Sequence, residues 1–330
     1  MLPVGILIPT RNSMAYLPHH VGTMSRWLDL AEEIVVVDSE SRDGTIEFLR
    51  KNLPADKTRF FSRPPGLYQA WNFGVHQIDT QFTYVSTIGD EISRAGLEHL
   101  AEVAERLACD VVISPPAFVA GDGKPTRANP WPVHEIISFW NLEDEICVEG
   151  MLLFAMALSF LPFALLGSSA SNLYRTAALQ VNPFPTEFGR NGDGAWGFFN
   201  ALEIRLGITP RQVSSFRKHH KTYRNGEYAT EDPDQRMLAT GLQRLEEMLE
   251  LRPELKADAA HLGLDNFIRQ KTAVQHWREE LRRHRRLPVP WVFNPLAWRA
   301  RIHRNAAHDG CKQLLKSALA VPPLERLQAG

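Results

Sequence analysis

The chain has 330 residues, 44% hydrophobic and 23% charged, and its 37 basic and 38 acidic side chains leave a formal net charge of −1. That is globular composition, long enough for one large domain with an extension or for two domains, and the balanced charge gives no overall field toward nucleic acid. The longest apolar run, "MLLFAMALSFLPFALLG" at residues 151–167, falls short of the roughly 20 residues of a membrane-spanning helix.

The opening "MLPVGILIPTRN" has neither a positive n-region nor a cleavage site, so it reads as the start of the fold rather than a signal peptide. "VGILI" is a continuous apolar run, the mark of a strand covered on both faces. "EIVVVD", "RFF", "FTYVS" and "DVVIS" repeat the mark up to about residue 115. Helical patterns separate them: "AYLPHHVGTMSRWLDL", "GTIEFLRKNL", "GLYQAWNFGVHQI" and "AGLEHLAEVAERL". Alternation at this spacing predicts right-handed crossovers and a mainly parallel sheet. From 116 to about 225 the pattern loosens. "AGDGK" predicts a hairpin turn and "NPWP" a loop. The run 151–167 predicts a core helix ending near Pro162, with a membrane-interface segment as the alternative. "SSASNLY" predicts a strand, a helix follows from about Ala195 to Arg205, and "QVSSFRKHH" predicts a late strand. From 232 the chain reads as helical, opening on Asp232 and Pro233 as N-cap and first turn. The three cysteines, Cys109, Cys147 and Cys311, are scattered with no C-x-x-C, which fits free thiols in a reducing cytoplasm.

The early strands end in polar groups: "PTRN" after the first, "DSESRDGT" after the second, and Gly89, Asp90 and Glu91 after the fourth. Parallel topology brings these strand ends to one rim, where open α/β sheets bind ligands. No G-x-G-x-x-G follows the first strand and no G-x-x-x-x-G-K-[ST] occurs, so no glycine loop grips phosphate there. Acids on the rim point instead to a divalent cation as the phosphate's partner.

"VGILIPTRNSMAYL" followed by "EIVVVDSESRDGT" resembles the opening of the family 2 glycosyltransferases. "GLYQAWNFGVHQIDTQFTYVSTIGDEIS" is similar to that family's next block, a helix bearing Ala-x-Asn-x-Gly and the strand of the Asp-x-Asp element. "SNLYRTAALQVNPFPTEFGRNGDGAWGFFNAL" resembles its acceptor-side block. The resemblance spans roughly residues 3–225. The sequence departs from it at Arg11, where Tyr is common, at Ser39, which replaces a second Asp, and at Thr87-Ile88-Gly89-Asp90, where only Asp90 aligns with the metal element.

The resemblance implies an α/β GT-A (Rossmann-like) domain over 1–225, with a nucleotide-sugar half at 1–115 and an acceptor half at 116–225. A helical extension over 226–330 follows. It implies a nucleoside-diphosphate sugar donor held by Pro9, Thr10, Arg11, Asp38, Ser39, Asn72 and Asp90. It implies a divalent cation, Mg²⁺ or Mn²⁺, on Asp90, backed by His219 or His220. It also implies inversion at the anomeric carbon with Asp193, in "GRNGDGAWGF", as the base, glycines on both sides clearing room for substrate. The acceptor would be a glycan or lipid-linked hydroxyl in cell-envelope polysaccharide or glycolipid synthesis, reached from the cytoplasmic face of a membrane.

Each assignment has a plainer rival. Asp38 could cap a turn before Gly44, Asp90 could be a helix-start acid, and Asp193 an N-cap. A strand would put His219 and His220 on opposite faces, so only one could point inward. Asn72 could merely pack its helix, while Trp71, Trp140 and Trp196 read as core or pocket wall. The stretch 277–304 interleaves eight arginines with three tryptophans. It reads as a solvated basic helix or, more sharply, as peripheral contact with an anionic membrane surface or lipid diphosphate. Two other function classes stay open: a nucleotidyltransferase, which would carry a Gly-rich basic loop that "PTRNSM" is not, and a non-catalytic sugar-nucleotide or glycan binder.

Overall fold

Apolar runs and helical patterns become alternating strands and helices in the computed structural model, which describes residues 2–127, 130–218, 233–285 and 295–318. The first third forms β1 (Val4–Thr10), α1 (Leu17–Met24), β2 (Glu33–Asp38), α2 (Thr45–Asn52), β3 (Thr58–Ser62), α3 (Leu67–Val75) and β4 (Phe82–Val85). A two-residue β5 (Glu91–Ile92), α4 (Arg94–Arg106) and β6 (Val111–Ile113) follow. Next come β7 (Ala117–Val119), α5 (Pro132–Trp140), β8 (Ile146–Glu149), α6 (Gly150–Phe160), β9 (Asn172–Arg175), α7 (Thr176–Val181), α8 (Gly192–Phe199), β10 (Arg205–Ile208) and β11 (Ser214–Arg217). The last zone is helical: α9 (Pro233–Leu251), α10 (Leu255–His261), α11 (Leu264–Arg285) and α12 (Pro295–Ala318).

The large sheet runs in the order β3-β2-β1-β4-β9-β6-β10-β8. β1, β2, β3 and β4 pair in parallel, as do β6 and β10. β9 is antiparallel to both β4 and β6, so the five strands read from the sequence all point one way, with β9 reversed between them. Side chains alternate across each strand. Ile6, Ile8, Ile34 and Val36 face one buried cluster, Leu7, Val35 and Val37 the other. This is why the strands read as continuous apolar runs.

α6 ends at Phe160, close to the expected stop at Pro162, and eight of its residues are buried. No helix among the described residues is long and apolar enough to cross a membrane. The helix expected over 195–205 is shorter and earlier, Gly192–Phe199, because the chain turns at Asn200 and Arg205 opens a strand. Leu206 and Ile208 are fully buried where β10 pairs with β6 and β8, and that pairing overrides the helical reading. The boundary expected near 225 falls outside the described residues. Met237, Leu238, Leu245, Leu255, Leu264, Phe267 and Cys311 from the helical zone share one core cluster with α6 and α8. Lys271 of α11 fastens this join. Its Nζ donates to the Ser159 (2.7 Å) and Leu161 (2.6 Å) carbonyls at the end of α6, and burial pushes the amine down to about 8.

Candidate active site

The carboxyl ends of β2, β1 and β4 lie side by side. Thr10 sits directly opposite Asp38 in the β1–β2 ladder, and Pro9 opposite Val37. The loops that leave these strands are braced to one another. The Asn12 amide donates to Ser41 Oγ (2.8 Å) and the Arg42 amide to Asn12 Oδ1 (2.9 Å). Asp43 accepts from the Met14 amide (3.0 Å) and from Thr45 Oγ1 (2.6 Å). Asp38 is buried and accepts from Ser41 Oγ (2.5 Å) and the Ser41 amide (2.9 Å). It is thus the turn cap of the plainer reading, with lone pairs still free for a ligand. Ser39 is buried with its amide on the Thr10 carbonyl, and the buried Thr10 hydroxyl has no partner among the described residues. Arg11 is exposed beside it.

After β4 the chain turns through Gly89, in the left-handed region at φ 104°, and presents Asp90 and Glu91. Both acids meet Arg217 at the end of β11. The Arg217 amide donates to Asp90 Oδ1 (2.9 Å). The guanidinium, nearly buried, donates through Nε to the Gly89 carbonyl (3.1 Å), through Nη1 to the Gly121 carbonyl (2.9 Å) and through Nη2 to Glu91 (2.8 Å). Burial works against Glu91, but His19, 2.5 Å away, and Arg217 hold it below the usual carboxylate range. Asp90 is different. Burial pushes it up to about 7, opposed by the Arg217 amide and by Ser168, whose hydroxyl donates across 3.4 Å. Beneath the turn, buried His20 accepts from the Gly89 amide at Nδ1 (3.4 Å) and meets Ser86 Oγ through Nε2 (3.0 Å). Burial lowers it to about 4, so it stays neutral.

Within the protein the cation held here is therefore Arg217, whose guanidinium pairs with Glu91 and whose backbone amide serves Asp90. His19, His20, Ser168 and Arg217 were not singled out from the sequence. The only signals were paired histidines in "LPHHVG" and an arginine amid "SSFRKHH". Of the donors named for a metal, Asp90 fits. It is a buried carboxylate whose charge is met by the Arg217 amide and by the Thr87 and Ser168 hydroxyls, which leaves room for one bond to an oxygen-seeking divalent ion. Among the described residues no three His, Cys, Asp or Glu side chains converge on one point, and His219 and His220 lie outside those residues.

Asp193 lies in the first turn of α8, with Asn191 in the cap position, so it is not the N-cap. Oδ1 accepts from the Gly194 amide (2.7 Å). The Tyr68 hydroxyl stands within hydrogen-bonding reach of Asp193 and of the Arg190 carbonyl (3.2 Å). Tyr68 belongs to the first turn of α3, which starts soon after the carboxyl end of β3, so Asp193 shares the rim with Asp38. Burial raises this acid to about 6, opposed by the Gly194 amide and the Tyr68 hydroxyl. The flanking glycines were expected to clear space for substrate, and they do not. A Cβ at Gly192 would lie 2.5 Å from the Tyr68 ring, and one at Gly194 would lie 3.0 Å from Ala164. Their missing side chains admit the protein itself.

Asn72 does not face the crevice loops. Its Nδ2 donates to the Phe184 carbonyl (2.8 Å) and its Oδ1 accepts from the Phe184 amide (2.9 Å), fixing the chain ahead of α8. Trp71 and Trp196 are core, packed with Tyr68, Tyr174 and Phe184, while Trp140 is half-buried at its margin.

Residues 5–156 match the model of glycosyl transferase family 2. The match runs from β1 into α6, just under half of the chain, and so includes Asp38 and Asp90 but not Asp193. No protein of curated function matches the sequence. Crystal structures of S. aureus TarS share the fold. TarS 1–349 in complex with UDP-GlcNAc superposes with a TM-score of 0.52 at 18% identity, over 95% of this chain and 90% of that one. The complex with UDP gives 0.51 at 17% identity with the same coverage. A longer TarS chain gives 0.50 at 17%, over 95% of this chain and 55% of that one.

Proposed function

We propose that this protein is a glycosyltransferase that moves a sugar from a nucleoside-diphosphate sugar to an acceptor hydroxyl with inversion. The observation that carries the reading is the braced rim at the ends of β1, β2 and β4, which lies inside the segment matched by the glycosyl transferase family 2 model. Further support comes from the shared fold with TarS, solved with UDP and with UDP-GlcNAc. In this reading residues 1–225 are the catalytic unit and 226–330 a helical buttress.

Pro9, Thr10, Asp38 and Ser39 line the nucleotide end, where the free lone pairs of Asp38 accept from ribose or base and the unpartnered Thr10 hydroxyl donates or accepts. Asp90 would hold a divalent cation, which would supply positive charge to the diphosphate leaving group. Arg217 and His19 take the charge of Glu91, which leaves Asp90 as the acid of the pair turned to the ligand. Asp193 receives the proton of the attacking hydroxyl on the opposite face of the sugar.

Asp90→Asn tests the cation site. It should weaken Mn²⁺-dependent binding of a nucleoside diphosphate at least about tenfold, the lower range for disturbing a metal's protein partners, with little change in melting temperature. Titration calorimetry with and without Mn²⁺ reads the affinity and a thermal melt the stability, and unaltered Mn²⁺-dependent affinity would make Asp90 a turn residue only.

An acceptor linked to lipid accords with α12, where Trp298 and Ile302 stand exposed one turn apart beside exposed Arg299. Binding to anionic vesicles, but not to neutral ones, is expected in co-sedimentation, and a Trp298→Ser, Ile302→Ser double variant should stay in the supernatant. No sedimentation of the unaltered chain with anionic vesicles would end this part of the reading.

A further inference from the structure

The sheet brings together two cysteines that the sequence leaves 38 positions apart, Cys109 and Cys147. Cys109 lies just ahead of β6 and Cys147 on the edge strand β8, with β10 between them. Gly207 of β10 is the ladder partner of Cys147 on one side and of Val112 on the other. A Cβ at 207 would come within 2.9 Å of Cys109 Sγ. With no side chain there, the Cys109 thiol, which donates to the Leu107 carbonyl (3.8 Å), extends over β10 on the face of Cys147. Arg205, two residues along the same face, also contacts Cys147 and forms an ion pair with Glu149 (2.9 Å). Cys109 is fully buried, whereas Cys147 is partly exposed. Its neighbours Arg205 and Glu149 line an open cleft of about 480 Å³. A small reagent in solution thus reaches the outer sulfur first.

We propose that Cys147 and Cys109 form an oxidant-responsive dithiol, with Cys147 the sulfur attacked by a peroxide and Cys109 the sulfur that resolves it. In the first step the Cys147 thiolate attacks a peroxide oxygen. An S–O bond forms, the O–O bond breaks, hydroxide leaves, and the sulfur is oxidised to a sulfenic acid. In the second, the Cys109 sulfur attacks the Cys147 sulfur. An S–S bond forms, the S–O bond breaks, and the oxygen leaves as water with the Cys109 proton. The Cys109 thiol beside it and the nearby Arg205 guanidinium lower the Cys147 thiol despite its burial, which favours its thiolate. The neighbouring Cys147 and burial push the Cys109 thiol up, so it keeps its proton until the second step. β8 pairs on one side only, which lets the edge strand shift as the sulfurs close. The pair sits at the amino end of β6, away from the rim of Asp38 and Asp90, and does not depend on the reading of that rim.

The test uses the full reduced chain. One equivalent of hydrogen peroxide is added at neutral pH, remaining thiols are blocked with N-ethylmaleimide, and the digest is mapped by mass spectrometry. The expected product is a single cross-linked peptide pair containing Cys109 and Cys147, cleaved by dithiothreitol, with Cys311 blocked throughout. Before oxidation, Cys147 should take iodoacetamide at least about tenfold faster than Cys311. In Cys109→Ser the reaction should stop at a sulfenic acid on Cys147, trapped by dimedone, with no cross-link. If that variant does not fold, Cys147→Ala serves, and its Cys109 should be inert to the same dose. Three intact thiols after peroxide, a cross-link that includes Cys311, or equal labelling of Cys147 and Cys311 would each overturn the proposal.

Discussion

Asp193→Asn is expected to lower turnover by about 10²- to 10⁴-fold, the usual loss when a positioned general base is removed, while donor affinity stays close to that of the unaltered chain. The base acts on the face of the sugar away from the diphosphate, so donor contacts should survive. Stability supplies the control. Burial raises Asp193 to about 6, above its ordinary 3.8. A raised carboxyl favours the fold when protonated, and that advantage is lost as pH climbs from about 3.8 through 6. The neutral asparagine should therefore leave melting at pH 7 unchanged or slightly higher. The same value sets the rate profile: kcat/KM should rise about tenfold per pH unit below 6 and level off above it. Tyr68→Phe removes the hydrogen bond that favours the ionised form and should move this limb to higher pH. Near-normal turnover in folded Asp193→Asn protein would take this acid out of the mechanism and make Glu187 the next residue to test.

Much of the frame was legible because it is set by local pattern. β1, β2, β4 and β6 are buried on both faces and announce themselves as mostly apolar runs rather than alternating ones. The turn residues between β2 and α2, Asp38, Ser41, Asp43 and Thr45, are the short polar side chains that close such turns on their own backbone. What could not be read depends on neighbours far away in the chain. β5 is two residues long and exists because β11 pairs with it. β10 looked like the tail of a helix because "EIRLGI" carries apolar residues at a spacing both periods tolerate, and pairing with β6 and β8 decides for the strand. Gly192 and Gly194 invited a functional reading, but the Tyr68 ring 124 positions earlier explains the first. The two acids at 90 and 91 were legible as a site for positive charge. That the charge is a guanidinium from 126 residues downstream was not.

Replacing that guanidinium should be the most damaging single change to the architecture of the rim. Arg217→Met is expected to cost about 3–5 kcal/mol, the range for removing one partner of a buried ion pair. The reason is the number of groups left behind. Glu91 would keep only His19, and the Gly89 and Gly121 carbonyls would lose their donors. The Asp90 carboxylate, held by the Arg217 amide, would keep its bond only while β11 stays in place. Arg217→Lys should recover a part of the loss, since an ammonium keeps the charge but cannot reach in three directions as the planar fork does. Adding Glu91→Gln to Arg217→Met should restore stability relative to Arg217→Met alone, because the stranded charge goes with it, and the cycle of the four proteins isolates that coupling. The acid limb gives an independent reading. Glu91 is held below its ordinary 4.5, so the pair contributes fully above that pH and loses its contribution as pH falls below it. In Arg217→Met this loss of stability between pH 4.5 and lower values should shrink. Urea unfolding of the four proteins at pH 7 and pH 4 measures all of these differences. An Arg217→Met protein within about 1 kcal/mol of the unaltered chain, the scale of an exposed ion pair, would mean that the turn at Asp90 stands without it.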